Sequence, residues 1–559
     1  MPVYDDIMRR LTILQPAALE ALESPDILTR VELHPGAGDK EIAFEQSLSE
    51  TDSGHAHTRW LVDDEAGADH LIERIHQRLV ERSRRIPATE KPKEIVVVGG
   101  GPGGMTAAIE CAYRGHKVTV LEKHGPPVRL RCVGLFREQE RMLSSLGAPR
   151  SLRSEIPASY ADKSNIWLFD LIFFLRVVAL KLGVVLFENC TGLLDKGRLI
   201  GGKTPSESGP VLRREGAEVE EVDSDMVLPF DVVVDASGGH STLRTQLLAP
   251  DAIVCVRDKV LNALERDSDF ESYLEGEDSE LRTLDARLKG HEKEWSEFVQ
   301  MTRDSHELVY DDPVCMVCSL ERDIFDFPEL PDLYQSGLVP PDWVFAPTSY
   351  GDKMDDNRWH GLDEEQIRRV HLEGMFPRQA GRFQRPVWEV AEAMLCALGV
   401  SGDIESSALE RYLREQNSSP YSAHNTMSFF RSHLSGVLFD PEHPLSWGRM
   451  GEKEYFVIGD ALQTAWFRFG VGVHDSCRGG VMVSQALQTE DKERRARLVH
   501  RHEITIDRRA VQSQFALFLN ELEVSRHPVM LQALKILEQK HDKEPGESRL
   551  KSFDGWHKR

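Results

Sequence analysis

The clearest chemistry in this sequence sits in one glycine turn and one glutamate. Glu94-Ile-Val-Val-Val98 runs directly into Gly99-Gly-Gly101-Pro-Gly-Gly104, and Glu122 stands at the end of the next apolar run, Lys117–Leu121. A continuous apolar run of this kind marks a strand buried on both faces of a parallel sheet. Gly99 allows the tight turn, Gly101 lets backbone approach a pyrophosphate, and Gly104 brings the next helix, expected over Met105–Arg114, close to the sheet. Gly103 belongs to the same turn. The first N–H groups of that helix face phosphates with the positive end of the helix dipole. Glu122, with Lys123 beside it, is placed to accept hydrogen bonds from an adenosine ribose. This is the chemistry of dinucleotide binding, and the motif alone does not choose between dinucleotides.

Two later stretches narrow the choice. Phe230-Asp-Val-Val-Val-Asp-Ala-Ser-Gly-Gly-His-Ser-Thr-Leu-Arg244 reads as a second buried strand ending in a glycine turn. Tyr455-Phe-Val-Ile-Gly-Asp-Ala-Leu-Gln463 reads as a third, followed by Phe469-Gly-Val-Gly-Val-His474 and a helix. Asp460, a carboxylate at a strand end, can bind ribityl hydroxyls. Gly470 and Gly472, flanking Val471, leave backbone N–H groups open to a large planar ligand. The helix after them points its positive end at that ligand.

In this order the three motifs resemble the class A, para-hydroxybenzoate-hydroxylase-like flavoprotein monooxygenases, which carry GxGxxG, a strand ending near DGxxSxxR, and a GD box followed by a glycine pair. The resemblance covers roughly residues 94–490, with specific matches confined to the motifs. It implies FAD as cofactor, NADPH or NADH as electron donor, and hydroxylation or epoxidation of a small organic substrate by molecular oxygen through a flavin C4a-hydroperoxide. It also implies flavin contacts at Ser237 and Gly238, and an arginine contact at Arg131, with Arg129 next. The stretch GDALQTAWFRFGVG and the helix NIWLFDLIFFLRVVALKLGV are similar to the monooxygenase domain of the MICAL proteins. The chain departs from the family where the DG aspartate falls on Ser237, which weakens the expectation of NADPH reduction and leaves a partner reductase as the alternative. Phe467 replaces the usual proline, and His474 stands at a common asparagine. His474 is the one candidate catalytic residue, as proton donor or positive charge, against an equal reading as a packed structural histidine. Tyr421, His424 and Trp466 are weaker substrate-side candidates. A flavin-dependent halogenase, an alkene reductase of the same fold, and a non-catalytic FAD-stabilised interaction protein are the competing readings.

The elements that must position these residues follow from pattern. The expected fold is α/β: a doubly wound, Rossmann-like FAD-binding domain, an inserted mixed sheet-and-helix substrate domain, and helical terminal extensions. The expected boundaries are 1–92 for a helical extension, 93–259 and 450–490 for the two parts of the FAD domain, 260–449 for the substrate domain, and 491–559 for a C-terminal helical segment. LIERIHQRLVERSRR has helical spacing, and Glu45 to Gly67 reads as a polar loop. The run Ile166–Phe187 is broken by Asp170, Arg176 and Lys181, so it reads as buried helix, a stop at Gly183, and a strand. Residues 191–230 read as a small antiparallel meander, 251–300 as acidic helices, 387–416 as a helix.

Net charge is −24, from 68 basic and 92 acidic residues, which argues against nucleic acid and anionic membrane as partners. The N-terminus MPVYDDIMRR lacks the apolar core of a signal peptide. Eight scattered cysteines fit a reducing cytoplasm. Cys315 and Cys318 form a lone Cys-x-x-Cys inside VCMVCSL, which alternates like a strand, so no metal site is expected.

Overall fold

The structure is a computed structural model. It describes residues 65–83, 88–124, 132–148, 164–203, 211–213, 220–221, 226–274, 288–304, 314–321, 324–327, 344–348, 369–375, 387–402, 405, 411, 428–431, 435–464 and 471–543.

Helix α1 (Glu65–Ser83) leads into strand β1 (Glu94–Val98), helix α2 (Pro102–Tyr113) and strand β2 (Lys117–Glu122). Strand β3 (Cys132–Leu135), helix α3 (Arg137–Ser145), strand β4 (Ser164–Trp167), helix α4 (Leu168–Lys181) and strand β5 (Val185–Glu188) follow. Next come β6 (Cys190–Asp195), β7 (Arg198–Lys203), β8 (Val211–Arg213), β9 (Glu220–Glu221), β10 (Met226–Leu228) and β11 (Val232–Asp235), then helix α5 (Thr242–Leu247). The middle of the chain holds β12 (Ile253–Cys255), α6 (Val256–Arg266), α7 (Phe270–Leu274), α8 (Glu292–Asp304), β13 (Val314–Glu321), β14 (Phe325–Asp326), β15 (Val344–Thr348), β16 (Arg369–Met375), α9 (Val387–Ala397), β17 (Ser401–Gly402), β18 (Ser428–Arg431) and β19 (Ser435–Val437). Strands β20 (Trp447–Met450) and β21 (Lys453–Val457) precede helices α10 (Val471–Gln488), α11 (Lys492–Val524) and α12 (Pro528–Lys543).

The main sheet has the order β20-β21-β11-β1-β2-β5-β8-β9. Its five central strands, β21 to β5, are parallel, and β20 and β8 pair antiparallel at either side. The valines that made β1 readable are buried on both faces, and Val96 pairs with Val233 while Val97 pairs with Val120. The chain winds outward from β1 through β2 to β5, then returns to the other side of β1 with β11 and β21. The direction of winding therefore reverses between β1 and β11, the place where open α/β sheets bind ligands beyond their carboxyl ends.

Helix α4 is apolar on nearly every face, with Phe173, Phe174, Leu175, Val177 and Val178 buried in the core beside β1 and β2. Its most deeply buried cation, Arg176, meets Glu188 of β5 at 2.6 Å, with 2% and 1% of the two side chains exposed. Gly183, at φ +79°, ends this segment ahead of β5. Among the described residues no helix is long and apolar enough to cross a membrane. The meander expected over 191–230 is present as β10-β7-β6, all antiparallel. Residues 314–321 are a strand, pairing Cys315 with Met375 and Cys318 with Leu372. The four-stranded antiparallel sheet β15-β16-β13-β18, together with helices α6 to α9 in the same stretch of sequence, gives the middle of the chain its mixed character.

Several expected limits shift. The boundary expected after residue 259 falls inside helix α6, because Val256, Val260, Ala263 and Leu264 share one core with Trp295, Phe298, Phe515 and Phe518. The 33-residue helix α11 supplies Val511 and the run Phe515–Leu519 to that core, with the Trp295 and Phe515 rings edge-on at 5.0 Å, so it is an integral part of the body and not an extension. Helix α1 is likewise docked: Ile75 and Leu79 are buried in the main core, and Arg82 pairs with Glu110 and lies over the Tyr113 ring. Glu65, Ala66 and Gly67, expected in a loop, form its first residues. The helix expected over 387–416 stops at Ala397 with Gly399 at φ +80° and turns into β17.

Candidate functional site

The three glycine turns of the sequence meet at the carboxyl edge of the parallel strands. The Gly99 N–H donates to Leu121 O at 2.8 Å, the Ala236 N–H to Val98 O at 2.8 Å, and the Ile458 N–H to Asp235 O at 2.9 Å. Gly99 has φ +109°, and a Cβ there would lie 2.3 Å from Ala236 O, so neither backbone geometry nor space admits a side chain. Gly104 is as constrained, because its Cβ would come within 1.9 Å of Gly99 O. Helix α10, which follows the GD turn, packs directly on α2. A Cβ on Gly480 would sit 2.6 Å from Ala107 N. Ser476 of α10 lies between two turns, close to Gly103 on one side and to Gly459, at φ +61°, on the other.

Against these packed glycines, Gly101 and Gly238 are open: a Cβ on either would meet nothing within 4 Å. Gly101 caps α2 with ordinary extended backbone, and the first-turn N–H groups of a helix have no acceptor within the helix. The edge therefore offers bare backbone, open space and a helix N-terminus together, which suits an anionic ligand. Glu122 ends β2 as expected, and both its oxygens hold backbone: Oε2 accepts from the Gly100 N–H at 2.5 Å and Oε1 from the His124 N–H at 2.9 Å. It pins the glycine turn, and each oxygen keeps a second lone pair. Lys123 is exposed beside it.

At the second turn the sequence left two residues without a role. Asp235, fully buried, accepts from Ser237 N at 3.0 Å, Ser237 Oγ at 2.7 Å and Ser241 Oγ at 2.6 Å. Burial holds its carboxyl above the usual range despite these donors. The Ser237 hydroxyl, read from sequence as a flavin contact, thus donates to the chain's own aspartate. Arg244 donates to Gly239 O at 2.9 Å, Ala461 O at 2.8 Å and Ser435 Oγ at 3.1 Å, clamping the second turn to the GD turn. Its presence in the quoted motif was the only sequence signal for this bridge.

Asp460 is exposed at the end of β21, in the short turn Gly459–Ala461. Val471 is buried and Gly472 half-buried at the start of α10. His474, four residues into α10, is 1% exposed and packs under α3: its Nδ1 is hydrogen-bonded to Gln139 Nε2, its ring lies 4.9 Å from Phe136, and Nε2 is 3.8 Å from a Glu138 carboxylate oxygen. Gln139 and Glu138 carried no signal in the sequence. Arg129, Arg131, Tyr421, His424, Trp466, Phe467 and Gly470 lie outside the described residues.

A winding reversal at β1 and β11, with three turns converging there, is the Rossmann-like arrangement that suits a dinucleotide. Residues 94–129, which hold the first turn, match the FAD binding domain family. Over 151 residues the chain is 33% identical to the [F-actin]-monooxygenase MICAL2 of Mus musculus, covering 26% of this chain and 7% of that protein. The chain thus spans only a small part of the length of the curated relatives it matches. A shorter stretch of 45 residues, 8% of the chain, is 47% identical to 7% of the cinnamate reductase of Clostridium sporogenes. Among solved structures, a variant of 2-methyl-3-hydroxypyridine-5-carboxylic acid oxygenase covers 79% of this chain and 96% of its own at 15% identity and TM-score 0.40. That score is too low to assign a fold, which rests here on strand order and register.

Proposed function

We propose that this chain is an FAD-dependent monooxygenase that takes electrons from NADPH or NADH and inserts one oxygen atom of O2 into a small organic substrate. The observation that supports it is the convergence of the Gly99–Gly104, Asp235–Gly239 and Gly459–Gln463 turns on one strand edge, in the order of the flavoprotein monooxygenases. The similarity to MICAL2 agrees with that reading. Bound FAD supplies the electron transfer and oxygen activation.

The chain's own residues bind and orient it. Gly101 and the first N–H groups of α2 would receive the pyrophosphate, and Glu122 the adenosine ribose through its second lone pairs. Asp460 would hold ribityl hydroxyls at the end of β21, with Gly238 leaving room beside them. The N-terminal turn of α10, with Val471 and Gly472, would place its positive end toward the flavin ring. Of the flavin contacts expected from sequence, Ser237 is assigned here to holding the turn through Asp235. Arg129, Arg131 and Gly470 keep their assignment as proposals.

Anaerobic stopped-flow reduction by NADPH, followed by mixing with oxygenated buffer, tests this reading. Flavin bleaching followed by rapid oxygen-dependent recovery through a transient absorbance is expected. A reduced flavin that ignores oxygen would overturn monooxygenation in favour of the alkene-reductase reading.

A further inference from the structure

His474 entered as a candidate proton donor or positive charge, and its surroundings settle which form of the ring fits. The Phe136 N–H can only donate, and it donates to Gln139 Oε1 at 3.1 Å. That bond fixes the orientation of the Gln139 amide, which is 2% exposed and has no room to exchange its ends for solvent. Its Nε2 must then face His474. An amide nitrogen has two donors and no acceptor, so His474 Nδ1 has to be the acceptor and carries no hydrogen. The ring proton is left on Nε2, the nitrogen 3.8 Å from the Glu138 carboxylate.

We propose that Gln139 is a positioning residue that locks His474 as the neutral Nε2–H tautomer. The first turn of α10 then carries a fixed hydrogen-bond donor aimed toward Glu138, not a cation. Protonating Nδ1 would set N–H against N–H at Gln139, or require the amide to turn over and oppose the Phe136 N–H. Any role for His474 toward flavin rests on the function proposed above. The tautomer itself does not.

Selective 15N labelling of histidine and glutamine in the full chain, read by long-range 1H–15N correlation at neutral pH, tests the assignment. A scalar coupling across the hydrogen bond between Gln139 Nε2 and His474 Nδ1 identifies the resonance in the wild-type protein without any variant. The expected pattern is one protonated nitrogen, Nε2, and one pyridine-like nitrogen, Nδ1. Gln139→Glu keeps an acceptor for the Phe136 N–H and presents a second acceptor to the ring, so Nδ1 should become protonated in this variant. A wild-type ring protonated at Nδ1 or at both nitrogens overturns the proposal, as does an unchanged pattern in folded Gln139→Glu protein. Retention of FAD, measured in the same samples by its released fluorescence, reports on the flavin reading separately. Loss of FAD with an intact Nε2–H pattern would sink only that reading.

Discussion

Gly101 and Gly104 belong to one turn, yet replacing each with alanine should give opposite results. At Gly104 the new methyl carbon would lie 1.9 Å from Gly99 O, and neither helix α2 nor the turn can give way without breaking the packing of α10 on α2. Overpacking of this kind typically costs about 1–3 kcal/mol and more where backbone is the obstacle. At Gly101 the methyl meets nothing within 4 Å. The residue already has φ −75°, which alanine adopts freely. Loss of unfolded-state entropy favours alanine by about 0.4–1 kcal/mol. A poorer N-cap opposes that by a similar amount, so stability should change by less than about 1 kcal/mol. The methyl nevertheless fills the space where a pyrophosphate must approach backbone. Losing one or two hydrogen bonds to a charged group, about 1.5–3 kcal/mol in all, weakens FAD binding by roughly 10- to 150-fold. Thermal unfolding of the apo-protein and titration of its FAD fluorescence separate the two effects. Gly101→Ala protein that binds FAD as tightly as wild type, with an unaltered melting temperature, would refute the placement of the ligand at this turn.

Arg176→Met should cost about 3–5 kcal/mol, because it removes the guanidinium that faces the buried Glu188 carboxylate beside β5, and the double replacement Arg176→Met with Glu188→Leu should recover most of that loss. Denaturant melts of the single and double variants decide it, and a single variant as stable as wild type would show that the pair carries no buried charge. Glu503 of α11, which accepts from the Ser446 N–H at 2.5 Å, is pushed up to about 7 by burial. Its folded pKa lies above its unfolded value, so the stability Glu503 contributes is fully present below about pH 4.5 and is lost as pH rises through about 7. Glu503→Gln should therefore stabilise the chain at pH 8 by about 2–4 kcal/mol and by little at pH 4.5, and a larger gain at the lower pH would reverse the reasoning. Burial raises the Cys111 thiol to about 12 and the Cys477 thiol to about 11, so a thiol reagent at neutral pH should leave both unmodified in native protein while Cys255, exposed, reacts. Peptide mapping by mass spectrometry after labelling gives the answer.

What the sequence made legible is what depends on neighbours along the chain. The strand–turn–helix at Glu94–Tyr113 could be read because its apolar run, its glycines and its helix adjoin one another, and Asp460 could be placed because a strand leads straight into it. Helix α4 was legible as buried despite Arg176, but nothing local announced that Glu188 would neutralise it. The polar stretch of α11 misled for the same reason. Glu503, Asp507, Arg509 and Gln514 make it look like a solvated extension, yet all four are buried, and Asp507 and Arg509 find partners in Arg266 and Asp475. Hydropathy counts a charged residue as exposed because it cannot see the partner that permits burial. His474 and Gln139, 335 residues apart, form a contact that exists only once α3 and α10 have packed together.

That separation bears on how the site comes into being. Its three turns lie in widely spaced parts of the chain, and no one segment contains them all. Asp235 and Arg244 draw the second and third together: the carboxylate orders the turn through Ser237 and Ser241, and the guanidinium ties Gly239 to Ala461 and to Ser435 of β19. Arg244 is itself buried and these three contacts are all to the chain, so it acts on a ligand by holding the turns in place. A dinucleotide spanning the edge would bind only when β1, β11 and β21 are all in register. Its binding energy then adds to the stability of the whole parallel sheet, about 2.7 kcal/mol at a hundredfold excess over Kd. Cofactor affinity and resistance to unfolding should therefore fall together when Arg244 is shortened to methionine, whereas at Gly101, where the fold has nothing at stake, they come apart.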